Sequence, residues 1–292
     1  MADRPAAIFV NEAAGSARSR RARLTVDLAQ RALGADVHVV ATRDQAELRD
    51  WMAAHIGPYR KVVVAGGDGS LGIALNVAAE TDTVLGYIPA GFGNAAAHLL
   101  RLPRDPHEIA ALLAHGEERL IDLVRVEGRY ALFSGVGWDA VVAQRYAEAG
   151  ARRLRGWAGA VMASRGELMD RHEVRIEADG QLVHSGPMHL VVVGTTPFYG
   201  RGMVVNPGAR TDAGQLMLRV YEGPWPRLAL EASRWFMHVR PRAQGIPTRQ
   251  VVVSTLDHRS LPLQADGDVI GMRERWEINL APAAVRLIGR WS

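Results

Sequence analysis

The 292-residue sequence has no cysteine, a single lysine and no long apolar run. Without cysteine there can be no disulfide, no thiol nucleophile and no cysteine-ligated metal. No apolar stretch approaches the roughly 20 residues that cross a bilayer as a helix. The start, MADRPAAIFV, reads as a first strand rather than a charged leader with a long apolar core, so no signal peptide is expected and the default location is the cytoplasm. The ten histidines show no metal-ligand spacing, and no Ser/His/Asp arrangement for nucleophilic catalysis can be drawn. Internal repeats, low-complexity tracts and long linkers are missing too.

What is present is ordinary for a soluble globular chain: 48% hydrophobic residues and 23% charged ones, in a length that suits two medium domains. The net charge of +4 is carried almost wholly by arginine, Lys61 being the one lysine. A basic surface suits anionic membranes, nucleotides and nucleic acid equally, so charge alone does not choose a partner.

The stretch from Val62 to Pro103 is the most informative. Val62, Val63, Val64 and Ala65 form a continuous, largely β-branched run, as a strand buried on both faces does, and it stops at Gly66, Gly67, Asp68, Gly69 and Ser70. A helix is predicted from Leu71 to Ala79. A strand that ends in glycines at a helix start aims bare backbone N–H groups at one point, with the positive end of the helix dipole behind them. Asp68, between glycines, is a poor direct contact for phosphate but a good partner for a magnesium ion or its waters. The logic repeats: Val84 to Ile88 reads as a strand, Pro89 to Gly93 as a turn, and Asn94 as the cap of a helix. Two such turns facing one ligand favour a nucleotide site over a purely structural pair of turns.

Before this stretch, Ala6 to Val10 and Val37 to Val40 read as strands, Arg18 to Leu33 and Asp44 to Ala54 as helices. Alternation of strand and helix to about Leu113 predicts a parallel sheet with helices on both faces and its ligand at the carboxyl ends of the strands. After Leu120 the texture changes to short strand-like runs separated by Gly, Asp and Pro turns: Leu120 to Val126, Gly128 to Gly135, Val174 to Ala178, His189 to Gly194, Gln215 to Tyr221 and Gln250 to Ser254. Helical inserts are predicted over about Ala140 to Met169 and Pro226 to Val239. The fold class is therefore an α/β N-terminal domain with a parallel sheet, residues 1–119, followed by a mostly antiparallel β-sandwich C-terminal domain, residues 120–292, whose final strand is free to return to the first domain.

Gly66-Gly67-Asp68-Gly69-Ser70 resembles the Gly-Gly-Asp-Gly-Thr signature of the diacylglycerol kinase catalytic domain, shared with sphingosine and ceramide kinases and similar to that of NAD kinases and phosphofructokinases. Pro89-Ala90-Gly91-Phe92-Gly93-Asn94 resembles the second lipid-kinase turn, Pro-x-Gly-(Ser/Thr)-x-Asn, which favours lipid kinases. Asn11, Gly15 and Ser16 resemble the family's first turn, with Glu12 where it has proline. Thr42 stands where the family keeps a strand-end threonine near the nucleotide base, and equally suits a plain turn hydrogen bond. Asp122 resembles the aspartate that opens the second domain, and Phe133 to Asp139 resembles a Phe-x-Asn-x-x-Gly-x-Gly-x-Asp segment, although Asp139 also reads as a helix cap. Pro197 to Leu216 resembles a Tyr-Gly-Gly-Gly-Met segment and an Asp-Gly-x-Leu turn, with Ala213 in place of the aspartate that serves a structural magnesium site in some bacterial members. Asp266-Gly267-Asp268 resembles the family's Asp-Gly-Glu, whose glutamate is assigned as general base. Asp268 is one methylene shorter, and Asp-Gly is also a hairpin signal. Ile73 replaces a family glutamate and Phe92 a hydroxyl residue; Ser70 keeps the hydroxyl of the usual threonine.

The resemblance implies an ATP- and magnesium-dependent lipid kinase acting on a hydroxyl of a diacylglycerol- or sphingoid-like lipid. Asp268 and Asp68 are its catalytic candidates, and Asp68 is the magnesium ligand. The nucleotide would meet Asn11, Thr42, Gly66, Gly67, Asp68, Gly69, Ser70, Gly91, Phe92 and Asn94, and lie between the domains. The partners implied are a lipid substrate and a membrane surface reached peripherally, with no nucleic acid; a homodimer is left open. Two segments join arginine to tryptophan as interfacial helices do, Arg152 to Trp157 and Trp225 to Arg242, and each equally suits a helix with aromatics in the core. The rivals are an NAD-kinase-like phosphotransferase with a soluble acceptor and a degenerate fold that binds nucleotide or lipid without turnover, the latter motivated by Ile73, Phe92, Ala213 and Asp268.

Overall fold

Continuous apolar runs become the central strands of a first unit, seen in a computed structural model that describes residues 6–42, 44–91, 93–148, 161, 163, 164, 166 and 171–291. This unit comprises residues 1–121, 200–202 and 283–292. Its elements are β1 (Ala6–Asn11), α1 (Arg20–Leu33), β2 (Asp36–Val40), α2 (Gln45–Ile56), β3 (Lys61–Gly66), α3 (Asp68–Ala78), β4 (Val84–Pro89), α4 (Ala95–Leu99) and α5 (Pro106–His115). β1 pairs in parallel with both β2 and β3, and β3 with β4. Helices start where side chains can satisfy the first N–H groups: Ser19, Asp44 and Asp105 cap α1, α2 and α5, and Pro106 opens α5 at a position where its missing N–H costs nothing. One face of the sheet packs Ile8, Val10, Val63 and Ile88 against Ala29 of α1 and Ile109 and Leu113 of α5. With the strand order β2-β1-β3-β4 the direction of winding reverses between β1 and β3, and the crevice outside their carboxyl ends is where such sheets take ligands.

The second unit comprises residues 122–199 and 203–282. Along the chain run β5 (Glu117–Val126), β6 (Arg129–Ala131), β7 (Phe133–Gly137), α6 (Trp138–Glu148), β8 (His172–Ala178), β9 (Gln181–Met188), β10 (Leu190–Gly194), the short β11 (Phe198–Tyr199) and β12 (Met203–Val204), β13 (Leu216–Tyr221), α7 (Trp225–Phe236), β14 (Ile246–Thr248), β15 (Gln250–Thr255), β16 (Leu261–Ala265), β17 (Asp268–Arg273) and β18 (Arg275–Gly289). An antiparallel sheet in the order β14-β13-β10-β7-β16-β17 faces β9-β8-β15-β18, and Val136, Val191, Val193, Leu216 and Leu263 of the first meet Ile176, Val251, Val253 and Ile278 of the second in one core. This is a β-sandwich. Alternation along β10 turns Leu190 and Val192 to the other side, where α7 packs through Leu228 and Trp235. β18 divides between Pro282 and Ala283, where Ala283 takes a left-handed φ of 47°. Its first part pairs with β15, and Arg286 and Leu287 lie parallel to β4 in the first unit.

Several boundaries differ from the sequence reading. The run from Gly128 to Gly135 is two strands, β6 and β7, interrupted at Leu132, because Leu132 N–H donates to the Asp266 carboxylate instead of continuing a ladder. α3 starts at Asp68, not at Leu71, so the glycine motif is itself the first helical turn. The basic segment Arg152 to Trp157 and Phe92 lie outside the described residues.

Candidate active site

Three strand-end turns of the first unit meet. Asn11, at the end of β1 and 7% exposed, donates from Nδ2 to Ser70 Oγ at 3.1 Å, and its Oδ1 accepts Ala13 N–H at 3.0 Å. That bond spans the point where the winding of the sheet reverses. Ser16 donates from both backbone N–H and Oγ to the Ala90 carbonyl, at 2.8 and 3.0 Å, which ties the first turn to the third. The turns after β3 and β4 touch at glycines: a Cβ on Gly91 would sit 2.5 Å from Gly67 Cα and 2.9 Å from Asn94 Oδ1. Only hydrogen fits there. Gly67 caps α3 with no side chain, so the first N–H groups of that helix meet no side-chain cap.

The Asp68 carboxylate, half-buried in the first turn of α3, reaches the start of α4, with Oδ1 3.4 Å from Ala96 N–H. Burial raises its pKa, and the backbone N–H groups of Ala95, Ala96 and Asn94, with His98 beyond, offset part of that rise. Asn94 was expected to cap α4 with its side chain. It takes the cap position in a left-handed conformation and makes no such bond. Its amide closes its own turn, accepting Gly91 N–H at 3.0 Å and donating to the Gly91 carbonyl at 2.9 Å, while Tyr87 OH donates to Oδ1 at 3.0 Å. Tyr87 is fully buried and keeps its proton, its pKa raised well above the usual phenol value by burial and then by the Asp68 charge. Thr42 Oγ1 donates to Glu47 at 2.6 Å and accepts Asp44 N–H at 3.0 Å, a turn at the head of α2. Gly69 is exposed beside Gln45. A cavity of about 460 Å³ opens next to these turns, lined among others by Ser16, Ser19, Arg21, Asn94, His98 and Arg104.

In the second unit, Asp266 and Gly267 both have positive φ, 49° and 91°, between β16 and β17, as a two-residue type I′ hairpin requires. The Asp266 carboxylate accepts the N–H groups of Leu132 and Phe133 at 3.0–3.1 Å, and Asp268, half-buried, opens β17. Asp139 is the second residue of α6 rather than its cap. Its Oδ2 accepts Gln264 Nε2 at 3.0 Å and Tyr199 OH at 3.5 Å, and its Oδ1 is sealed from solvent without a partner. Burial pushes this carboxyl up to about 7, against the opposing Gln264 and Tyr199 hydrogen bonds. Gln264 turns its Oε1 to Gly267 N–H at 2.7 Å, so one amide joins the buried Asp139 to the hairpin that carries Asp268. The room comes from Gly135, opposite Gln264 in the β7–β16 register, where a Cβ would fall 1.7 Å from Asp139 Oδ2. At the altered turn Asp212 pairs with Arg210 at 3.0 Å, and Asp122 Oδ2 accepts Gly214 N–H at 2.6 Å. Ile73 is buried in the apolar face of α3.

Sequence reasoning missed Tyr87 and Gln264, and it gave no role to Tyr199, which opens the Tyr-Gly-Gly-Gly-Met-like segment. Gly135 four residues before Asp139 was the available signal for a carboxylate packed over a strand.

Comparison with known proteins gives the class first. A profile described as the YegS C-terminal NAD kinase beta sandwich-like domain matches residues 134–289, and that of the diacylglycerol kinase catalytic domain matches residues 5–126. In fold the chain is similar to a diacylglycerol kinase from Bacillus anthracis str. Sterne, with TM-score 0.79, 20% identity and 99% and 98% of the two chains covered. It is also similar to an NAD kinase from Archaeoglobus fulgidus in complex with ATP, with TM-score 0.55, 14% identity and 97% and 92% covered. The fold is NAD kinase-like. A diacylglycerol kinase from Mycobacterium tuberculosis (strain H37Rv) is 32% identical over 269 residues, 87% of this chain and 85% of that one, and one from Staphylococcus carnosus (strain TM300) is 25% identical over 232 residues, 76% and 74%. The chain belongs to the diacylglycerol kinase family.

Proposed function

We propose that the protein transfers the γ-phosphate of ATP to a hydroxyl of a diacylglycerol- or sphingoid-like lipid. The observation that carries this reading is the convergence of three strand-end turns on the Asp68 carboxylate at the reversal point of the parallel sheet. The backbone N–H groups from Gly67 to Ser70 would hold phosphate oxygens, as bare helix starts do. Asn11 and Asn94 would act by fixing the turns, since their side chains are already engaged there. One carboxylate with phosphate oxygens and water is a usual magnesium environment, and Asp68 fits it; bound there, the ion would neutralise phosphate charge. The acceptor hydroxyl attacks the γ-phosphorus. Its oxygen forms the new O–P bond, the bond to the bridging β-phosphate oxygen breaks, and Asp268 takes the hydroxyl proton. Gln264 would steady the hairpin that presents Asp268.

The test is transfer of label from γ-labelled magnesium ATP to a panel of dispersed lipids, with NAD offered in parallel. A labelled lipid is expected. Label on NAD alone would support the soluble-acceptor reading, and no labelled product from protein that binds ATP would support a degenerate binder.

A further inference from the structure

The helix α7 is apolar on two sides, one of them buried and the other largely exposed. Leu228, Glu231 and Trp235, spaced i, i+3, i+7, form the buried side that packs on the six-stranded sheet. Trp225, Ala229 and Phe236 follow a neighbouring stripe, and Leu230 and Met237 continue it around the helix. On this side Trp225 is 46% exposed, Phe236 49% and Met237 64%, with Leu230 and Val239 also exposed. Isolated exposed apolar residues are unremarkable, but five of them on one helix and its exit form a patch.

Within the segment the exposed charges have one sign, and the exposed Glu222 just before it pairs with His184 at 3.2 Å. From Gly223 to Gly245 the sequence carries Arg227, Arg234, Arg240 and Arg242 and a single acid, Glu231. Glu231 is buried, and its carboxylate accepts Arg242 N–H at 3.0–3.1 Å. Arg234 Nε donates to the Arg240 carbonyl at 2.8 Å, which folds the exit back against the helix. Arg227, Arg240 and Arg242 are left exposed. An indole beside apolar side chains, on a segment whose exposed charges between Gly223 and Gly245 are all arginines, complements a plane of anionic headgroups over acyl chains. A protein partner would instead have to supply both an apolar cleft and a ring of acids.

We propose that α7 and its exit, from Trp225 to Arg242, dock the protein on the surface of an anionic bilayer, with Trp225, Leu230, Phe236 and Met237 entering the headgroup layer. This deepens the lipid-kinase reading by naming the surface through which a bilayer substrate is reached, and it rests on that reading only for its biological purpose. The test is sedimentation of the full chain with phosphatidylcholine vesicles containing or lacking phosphatidylglycerol, alongside phosphorylation of detergent-dispersed lipid. Wild type is expected to sediment with the anionic vesicles. Trp225→Gln/Phe236→Gln/Met237→Gln should lower the partition coefficient at least about tenfold. Arg227→Gln/Arg240→Gln/Arg242→Gln should lower it by up to on the order of 100-fold at low salt and remove the anionic preference. Both variants should keep activity on dispersed lipid. Vesicle binding equal to wild type in both would overturn the proposal, as would a wild-type dimer, dissociated by the first variant, that binds no vesicle. No kinase activity in any of the proteins, with wild type binding the anionic vesicles and both variants losing that binding, would count against the kinase reading and not against this surface.

Discussion

Asp139 shows how one residue can set a property of the fold. An ordinary aspartate has lost its proton by pH 5; this one holds it to about 7 in the folded chain because burial disfavours its charge. Between the ordinary value of 3.8 and about 7 the unfolded chain binds fewer protons than the native one, so stability falls as pH rises through this window and levels off above it. A rise from 3.8 to about 7 corresponds to on the order of 4 kcal/mol. Asp139→Asn should therefore leave stability at pH 4 little changed, raise it at pH 8 by up to a few kcal/mol, and flatten the slope between. Urea unfolding across pH 4–8 reads this directly, and an unchanged slope in the variant would contradict it. The residues with which Asp139 works were not legible in the sequence. Gln264 lies 125 positions away and meets it only because β16 pairs with β7 in the register that sets Gln264 against Gly135. Asp68, by contrast, was legible as the centre of its motif, but its reach to the start of α4 was not, since nothing local shows that Asn94 will fold back on its own turn.

At the scale of elements, the first unit was readable because β3 and β4 are unbroken apolar runs ending in glycine turns, and burial on both faces leaves such runs few alternatives. The error at the start of α3 has a physical origin: glycine and aspartate are poor helix formers, and their helical state here is imposed by the turns packed against them. That packing makes Gly91 the element-level test. Gly91→Ala places a Cβ against the Gly67 backbone, which has no flexible end to move aside. A loss of about 1–3 kcal/mol in thermal unfolding is expected, with magnesium ATP binding weakened tenfold or more by calorimetry; unchanged binding would show that the contact of the two turns does not shape the site. The second unit was legible as antiparallel from its turn signals, whereas β9, β16 and β17 were not marked as strands and the long β18 was expected only as a final strand without bounds. Pro187, Pro262 and Pro282 interrupt β9, β16 and β18 and Gly271 interrupts β17, and pairing rather than pattern fixes them.

At the scale of the whole molecule, no helix among the described residues is long and apolar enough to cross a membrane, and family resemblance extends over most of both units. The departures differ in kind. Ile73 is absorbed into an apolar face, Ala213 sits in a turn closed by Asp122, and Asp268 keeps a carboxylate on a hairpin anchored through Asp266 and Gln264. Only the last bears directly on the proposed proton transfer. The most direct measurement is therefore phosphate transfer from magnesium ATP to diacylglycerol in mixed micelles by wild type, Asp68→Ala and Asp268→Asn side by side. Wild type should turn over, Asp68→Ala should lose on the order of 10³-fold in kcat/KM, and Asp268→Asn should lose 10²- to 10⁴-fold, roughly, mostly in kcat. A wild type that binds ATP and transfers nothing, or two variants as active as wild type, would contradict the account.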